Sequence, residues 1–200
     1  MQLSDVNQVV NVHLSSFEGF FLTFLGPRFL NLLYTYIVSS PHGVGCVSLN
    51  NEDQIGGFVC GSAQPAGFYR RFLKNQWRRI IAAILLPVAR RPTTAPRLVW
   101  RILGPPQAST DPGTATLISI AVLPERQSAG IGKVLVRAFL NEMQRRDMRR
   151  VNLTTDKDNN DALNAFYRRL GFQLVRSFAT PEGRWMNEYA IDLSKGEYDA

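Results

Sequence analysis

The chain has 200 residues, 45 % hydrophobic and 20 % charged, which is enough to bury a sizeable core and too apolar for a disordered tail. Its longest apolar run, Ile80 to Ala89, is broken by Pro87 and too short for a bilayer, and the polar opening carries no leader pattern, so a cytoplasmic location is expected. The net charge of +7 is local: nine basic residues and no acidic one fall between Ala66 and Gly104, so it says little about the rest of the chain.

In chain order, Asp5 to Phe17 places Val6, Val9, Val10, His13 and Leu14 at helical spacing, with Ser4 or Asp5 as cap. Leu22 to Val38 predicts a second helix that Gly26-Pro27 can interrupt. Gly43–Leu49 and Gln54–Ser62 predict a hairpin around the polar turn 50–53. Its strands carry Cys46 and Cys60, the only cysteines, which are expected to be reduced and buried. With His13 and His42 they lack the spacing of a zinc site, so no metal is expected. His13, on a helix, and His42, in a turn, read as structural or surface residues.

Phe68 to Ala89 predicts a basic helix, and five prolines punctuate the stretch from Pro92 to Pro112, so 66–113 reads as an insert. Ala115–Val122 is a β-branched strand ended by Pro124. Gly130 to Met143 is the clearest helix, with Ile131, Val134, Leu135, Ala138 and Phe139 on one face. A short strand, Val151–Thr155, leads to a helix, Asn160–Leu170, stopped by Gly171. Phe172–Phe178 and Trp185–Leu193 predict two last strands. The order suits one mixed α/β domain over 1–200.

The turn between Val122 and the clearest helix holds two glycines one residue apart. A helix N-terminus offers unpaired N–H groups and a positive dipole end, and glycine lets a diphosphate approach them. A Walker A loop fails because residue 127 is Gln and residue 134 is Val. A Rossmann fingerprint fails at Leu135. The pattern that fits is Gln/Arg-x-x-Gly-x-Gly/Ala, present as Gln127-Ser128-Ala129-Gly130-Ile131-Gly132 after "IAVLPERQ". A second signature is "NNDALNAFYRRLGF", residues 159 to 172.

On these two motifs the sequence resembles the GNAT superfamily of acetyl-CoA-dependent N-acetyltransferases, specifically over about residues 114 to 193. The resemblance implies an α+β fold with a mixed sheet of about six to seven strands, flanked by about four helices and interrupted here by the basic insert. The family usually opens with a strand, whereas this chain opens almost at its first helix. The implied co-substrate is acetyl-CoA. Gln127, Ser128, Ala129, Gly130, Ile131, Gly132 and Lys133 would hold its diphosphate. Main-chain groups of Ile120 and Val122 would hold the pantetheine arm, with Ala121, Asn160 and Asn164 also in the cofactor site and Tyr167 near the thioester sulfur. Tyr167 is expected to face the ligand while Phe166 stays buried, with Leu163 and Phe166 on the core face.

The implied reaction is direct attack of an amine on the thioester. The oxyanion needs a donor, which the resemblance assigns to the Val122 N–H. The departing thiolate needs a proton, which a phenol near pKa ~10 can supply from Tyr167. The amine must lose a proton, and that role has no owner. Family members often use a carboxylate on the central strand, but "TATLISIAV" has none. Glu18 is a candidate by location. Phe17, Glu18, Phe21 and Tyr34 are weak candidates for acceptor contacts, with core packing the favoured reading for the aromatics.

Three readings compete for 68–91: a solvated helix beside the acceptor pocket, a peripheral contact with an anionic membrane, or a nucleic-acid or polyphosphate site. Nucleic acid is the least expected of these, and a homodimer is left open. The acceptor is expected to be a small-molecule amine, such as a phosphate-bearing amino sugar. A protein N-terminus or lysine is the alternative, and a coenzyme A-binding sensor without catalysis is the rival class.

Overall fold

The computed structural model describes residues 1–90, 111–127, 129–181 and 183–195. Ser128, Arg91, Arg97, Arg101 and the proline-rich 92–110 lie outside the described residues, as does the side chain of Phe21. The helices are α1 (Val6–Ser16), α2 (Phe21–Ser39), α3 (Phe68–Arg90), α4 (Ile131–Arg145) and α5 (Asp161–Arg169). The strands are β1 (Gly43–Leu49), β2 (Ile55–Ser62), β3 (Thr114–Val122), β4 (Arg150–Asp156), β5 (Gln173–Ala179) and β6 (Trp185–Asp192). They form one mixed sheet in the order β1-β2-β3-β4-β6-β5. The interruption expected in α2 is real: Gly26 has φ 83°, followed by Pro27.

Two cores cover the two faces of the sheet. On one face α1, α2 and α3 pack Val9, Leu30, Ile37 and Phe72 against Phe58 and Cys60 of β2. On the other, α4 and α5 pack Leu135, Phe139 and Tyr167 against Val59, Val151 and Tyr189. Strand β2 is therefore buried along its whole length. Gly61 is required there, because a Cβ would stand 2.2 Å from the Thr116 carbonyl oxygen and 2.5 Å from the Phe139 ring. Both cysteines are free, and burial pushes the Cys60 thiol up to about 12.

The middle of the sheet opens. Strands β3 and β4 run parallel but pair only where Thr114–Thr116 meets Arg150–Asn152. The Thr116 hydroxyl bonds the Asn152 side-chain oxygen at the last pair. From Leu117 onward β3 stays with β2 and β4 stays with β6. A bulge in β3 leaves Ile118 without a partner residue between Cys60–Ser119 and Gly61–Leu117.

Asn164 holds α5 to the far half of this opening. Its amide donates to the Asp156 and Asn160 carbonyls at 2.9 and 2.8 Å. Its side-chain oxygen accepts from Asn187 at 2.9 Å and from the Tyr189 hydroxyl at 3.0 Å. The expectation that Asn164 contacts the cofactor arm is corrected: two donors and two acceptances are already made inside the protein. Asn164→Ala leaves the Asn187 amide and the Tyr189 hydroxyl unpartnered. It should destabilise the fold by about 2–4 kcal/mol, read from the urea midpoint at unchanged slope.

Candidate active site

The glycine turn caps α4 as the sequence suggested. Gly130 is left-handed, with φ 77°, and nothing lies within 4 Å of where a Cβ would stand. The Lys133 N–H already donates to the Gly130 carbonyl at 3.0 Å, and the N–H groups ahead of it have no carbonyl within the helix to reach. They open onto a groove of about 600 Å3, whose walls include Val122, Gln127, Gly132, Lys133 and Phe166. Arg126 and Lys133 add positive charge to the dipole end. A Cβ on Gly132 would meet the Phe166 ring at 3.4 Å, so the groove wall closes over that position. Backbone donors at a helix end beside two cations make chemistry that suits an anion.

The groove continues along β3. The Leu123 N–H donates to the Gly56 carbonyl at 2.9 Å. By antiparallel alternation, Ala121 and Ser119 direct their main-chain groups to β2, and Ile120 and Val122 direct theirs to the side β4 has left. Ala121 lines the groove, with its main chain paired to Phe58 of β2. The Val122 carbonyl accepts from Ser16 Oγ at 3.2 Å and from the Gln127 amide at 3.3 Å, which leaves its N–H for a ligand.

Past Phe17, Ile120 and Leu163, which wall both spaces, lies a second cavity of about 290 Å3. Tyr167 lines it and is 3 % exposed. Burial raises its phenol well above the ordinary value, so it keeps its proton at neutral pH. The expected division of labour in α5 is corrected. Phe166 is half-buried and walls the groove, and Leu163 is 37 % exposed between the two spaces, because α5 stands over the opening and not over a closed sheet. Asn160 lines the second cavity, but its amide nitrogen is used by Thr155 at 2.8 Å and by the Asp156 carbonyl at 3.0 Å.

Two acceptor-side candidates are also corrected. Glu18 is exposed in the turn after α1, where a charge stays hydrated, while Phe17, also a candidate, and Phe20 line the cavity. Tyr34 is 1 % exposed and packs edge-on against Phe58 in the core. Its hydroxyl lies 2.6 Å from His13 Nδ1. His13, expected to be structural, lines the cavity and is 2 % exposed. Burial lowers its pKa to about 4. The one signal for it in the sequence is a histidine on the apolar stripe of α1. Asp156 and Arg184 also line the cavity, paired at 2.6 Å. On the insert side, Pro65, Phe68 and Tyr69 border a further space of about 310 Å3, which shares Ile118, Leu153 and Thr154 with the second cavity.

The arrangement brings a glycine-capped helix end, a strand edge that β4 has left and a mostly apolar cavity with a phenol and an imidazole in its walls next to one another. Among curated proteins no sequence matches the chain. Among solved structures it is similar to the ribosomal-protein-S18-alanine N-acetyltransferase from Escherichia coli, at 15 % identity and TM-score 0.59, over 98 % of this chain and 92 % of that one. It is similar to a chimeric spermidine N-acetyltransferase from Vibrio cholerae at 13 % identity and TM-score 0.60, over 98 % and 94 %. A third likeness is the PaiA N-acetyltransferase from Thermoplasma acidophilum, solved with coenzyme A, at 12 % identity and TM-score 0.56, over 94 % of both chains. These likenesses establish the fold. The profile of the Acetyltransferase (GNAT) family matches residues 7–172. The parted sheet and its glycine-capped helix are thus those of an acyltransferase, and the chain belongs to the acetyltransferase (GNAT) family.

Proposed function

We propose that the protein moves an acetyl group from acetyl-CoA to a primary amine of a small molecule by direct attack. The observation that carries this reading is the continuity from the Gly130 cap, along the free edge of β3, to Tyr167 in the second cavity. Gln127 and Gly130 to Lys133 would hold the diphosphate, and Ile120 and Val122 would pair with the pantetheine arm. Bound there, acetyl-CoA supplies an acetyl group activated as a thioester. The Val122 N–H stabilises negative charge on the carbonyl oxygen, and Tyr167 delivers its proton to the departing sulfur. The mostly apolar cavity of about 290 Å3 has room for a small amine, which we take as the acceptor over a protein N-terminus or lysine. It lends no support to a phosphate-bearing sugar, because its one arginine, Arg184, is held by Asp156.

We further infer a peripheral contact with anionic lipid through α3. Its inner face packs Phe68, Phe72, Ile80 and Ala83. Its outer face exposes Trp77, Ile81 and Leu85 at four-residue spacing, 51–66 % open, beside Lys74 and Arg78 and with no acidic residue in the helix. Apolar side chains flanked by cations suit a charged headgroup layer.

Acetyl-CoA at about 100 times its Kd should add about 2.7 kcal/mol of stability, a rise of roughly 5–10 °C in Tm. Gly132→Val, which crowds Phe166 and the groove, should abolish that rise while the circular dichroism spectrum is unchanged. Thiol release from acetyl-CoA with an amine separates an enzyme from a coenzyme A sensor. Tyr167→Phe should lower kcat by about 100-fold or more with acetyl-CoA binding intact. Because burial raises the phenol's pKa, the Tyr167-dependent rate should show no alkaline fall up to about pH 10. The protein should cosediment with phosphatidylglycerol vesicles at low salt and not with phosphatidylcholine. Arg78→Glu with Trp77→Ser should remove that binding.

A further inference from the structure

We propose that His13 is the base of the reaction, taking the proton of the acceptor amine at Nε2, and that the cavity admits that amine uncharged on an apolar body. The proposal rests on the acetyltransferase reading above and supplies the residue that reading lacks, since β3 carries no carboxylate.

The ring is held from behind. Nδ1 lies 2.6 Å from the Tyr34 hydroxyl, and Ser119 of β3 is a second hydrogen-bond neighbour of that hydroxyl. Phe17 tilts against the imidazole at 4.6 Å, and Phe58 stacks beyond it at 6.5 Å. The front is different. Among the described residues, His13 Nε2 is the single buried side-chain nitrogen or oxygen with no hydrogen-bond partner. An unmet buried polar atom is costly, and a position that only fills the core is served better by leucine or phenylalanine. His13 and Tyr167 are both wall residues of the second cavity, with Nε2 itself covered.

The electrostatics select the form of the amine. Burial holds the imidazole neutral through the physiological range. Around the His13–Tyr34 pair, Cys60 and Tyr69 are pushed up to about 12, and Tyr34 and Tyr167 upward as well, so all four stay protonated and uncharged. The Asp156 carboxylate at the cavity is taken up by Arg184 at 2.6 and 2.7 Å. An ammonium would therefore enter a pocket with no uncommitted anion among its described walls. A neutral amine can donate N–H to Nε2 and rest its body on Phe17, Phe20, Leu22 and Met186.

The step then balances. The amine lone pair forms the bond to the thioester carbon. As that nitrogen becomes acidic, its proton passes to Nε2, and the Tyr34 hydroxyl bears on the far side of the new imidazolium. The C–S bond breaks with its electron pair on sulfur, and sulfur takes the Tyr167 proton. Return of the imidazolium proton to the Tyr167 phenolate through solvent restores both groups, leaving an amide and a thiol.

The test starts from the parent protein labelled with 15N-histidine, which reports only His13 and the exposed His42. Nε2 of His13 should resonate as a lone-pair nitrogen and shift when β-phenylethylamine is added. A hydrogen resident on Nε2 overturns the proposal without any need for turnover. His13→Asn places an amide where Nδ1 stood, keeping the Tyr34 contact and removing Nε2. It should keep the acetyl-CoA-induced rise in Tm while kcat with β-phenylethylamine falls at least 100-fold. In His13→Ala, added imidazole should restore rate, which a purely structural role would not produce. A His13→Asn kcat within threefold of the parent sinks the assignment and leaves the acetyltransferase reading standing. Absence of both the Tm rise and thiol release in the parent sinks that reading and the base with it.

Discussion

Everything in this molecule depends on two parallel strands that part after three residue pairs. Thr116 and Asn152 make the last contact between β3 and β4, and the sheet divides beyond it. A continuous sheet would satisfy the main-chain groups of Ile120 and Val122 with a neighbouring strand. The parting leaves the Ile120 groups and the Val122 N–H without a strand partner, at the point where the N-terminus of α4 also lacks helical partners. Two sets of unmet backbone donors thus line one groove. Neither set would be useful alone, since a helix end grips a diphosphate but does not direct the rest of the molecule.

The parting has to be stabilised from its sides. On one side Gly61 lets β2 press against β3 and Phe139, and the bulge at Ile118 bends β3 away from β4. On the other side Asn164 ties α5 to Asp156, Asn187 and Tyr189. A polar ladder continues outward, with Asn152 donating to Glu188 at 3.4 Å and Arg176 pairing with Glu188 at 2.6 Å. Each buried polar group in these supports is committed, so the polar groups left uncommitted at the opening stand out against them. The second cavity obeys the same logic: Asp156 and Arg184 are paired and Tyr167 is protonated, while His13 Nε2 is, among the described residues, the one fully buried side-chain nitrogen or oxygen without a partner.

Much of this is legible locally. The Gly130-Ile131-Gly132 turn declares a left-handed cap and a helix start, because backbone conformation and dipole are properties of a few consecutive residues. The kink at Gly26-Pro27 and the amphipathic faces of α1 and α4 are legible for the same reason. The paired roles of Phe166 and Tyr167 are not, since helix geometry gives the angle between two side chains and not which of them meets the opening. Asn164 and Tyr34 look like ligand contacts because their type is polar or aromatic, while their partners lie 23 and 21 residues away in sequence. His13 hides for the converse reason: it looks like a core residue, and its open nitrogen shows only once the fold is assembled.

The sequence by itself determined the element order, the anion-binding turn, the family resemblance and the concentration of positive charge in one segment. All of these rest on residues close together in the chain or on simple sums over it. Only the tertiary structure decided which polar groups remain unpaired. That depends on where every other donor and acceptor finds its partner, which is a property of the assembled sheet and helices and not of any segment. The assembled fold commits Asn164 to structure, buries Tyr34 behind His13, and leaves His13 Nε2 without a hydrogen-bond partner in the wall of a cavity that Tyr167 also lines.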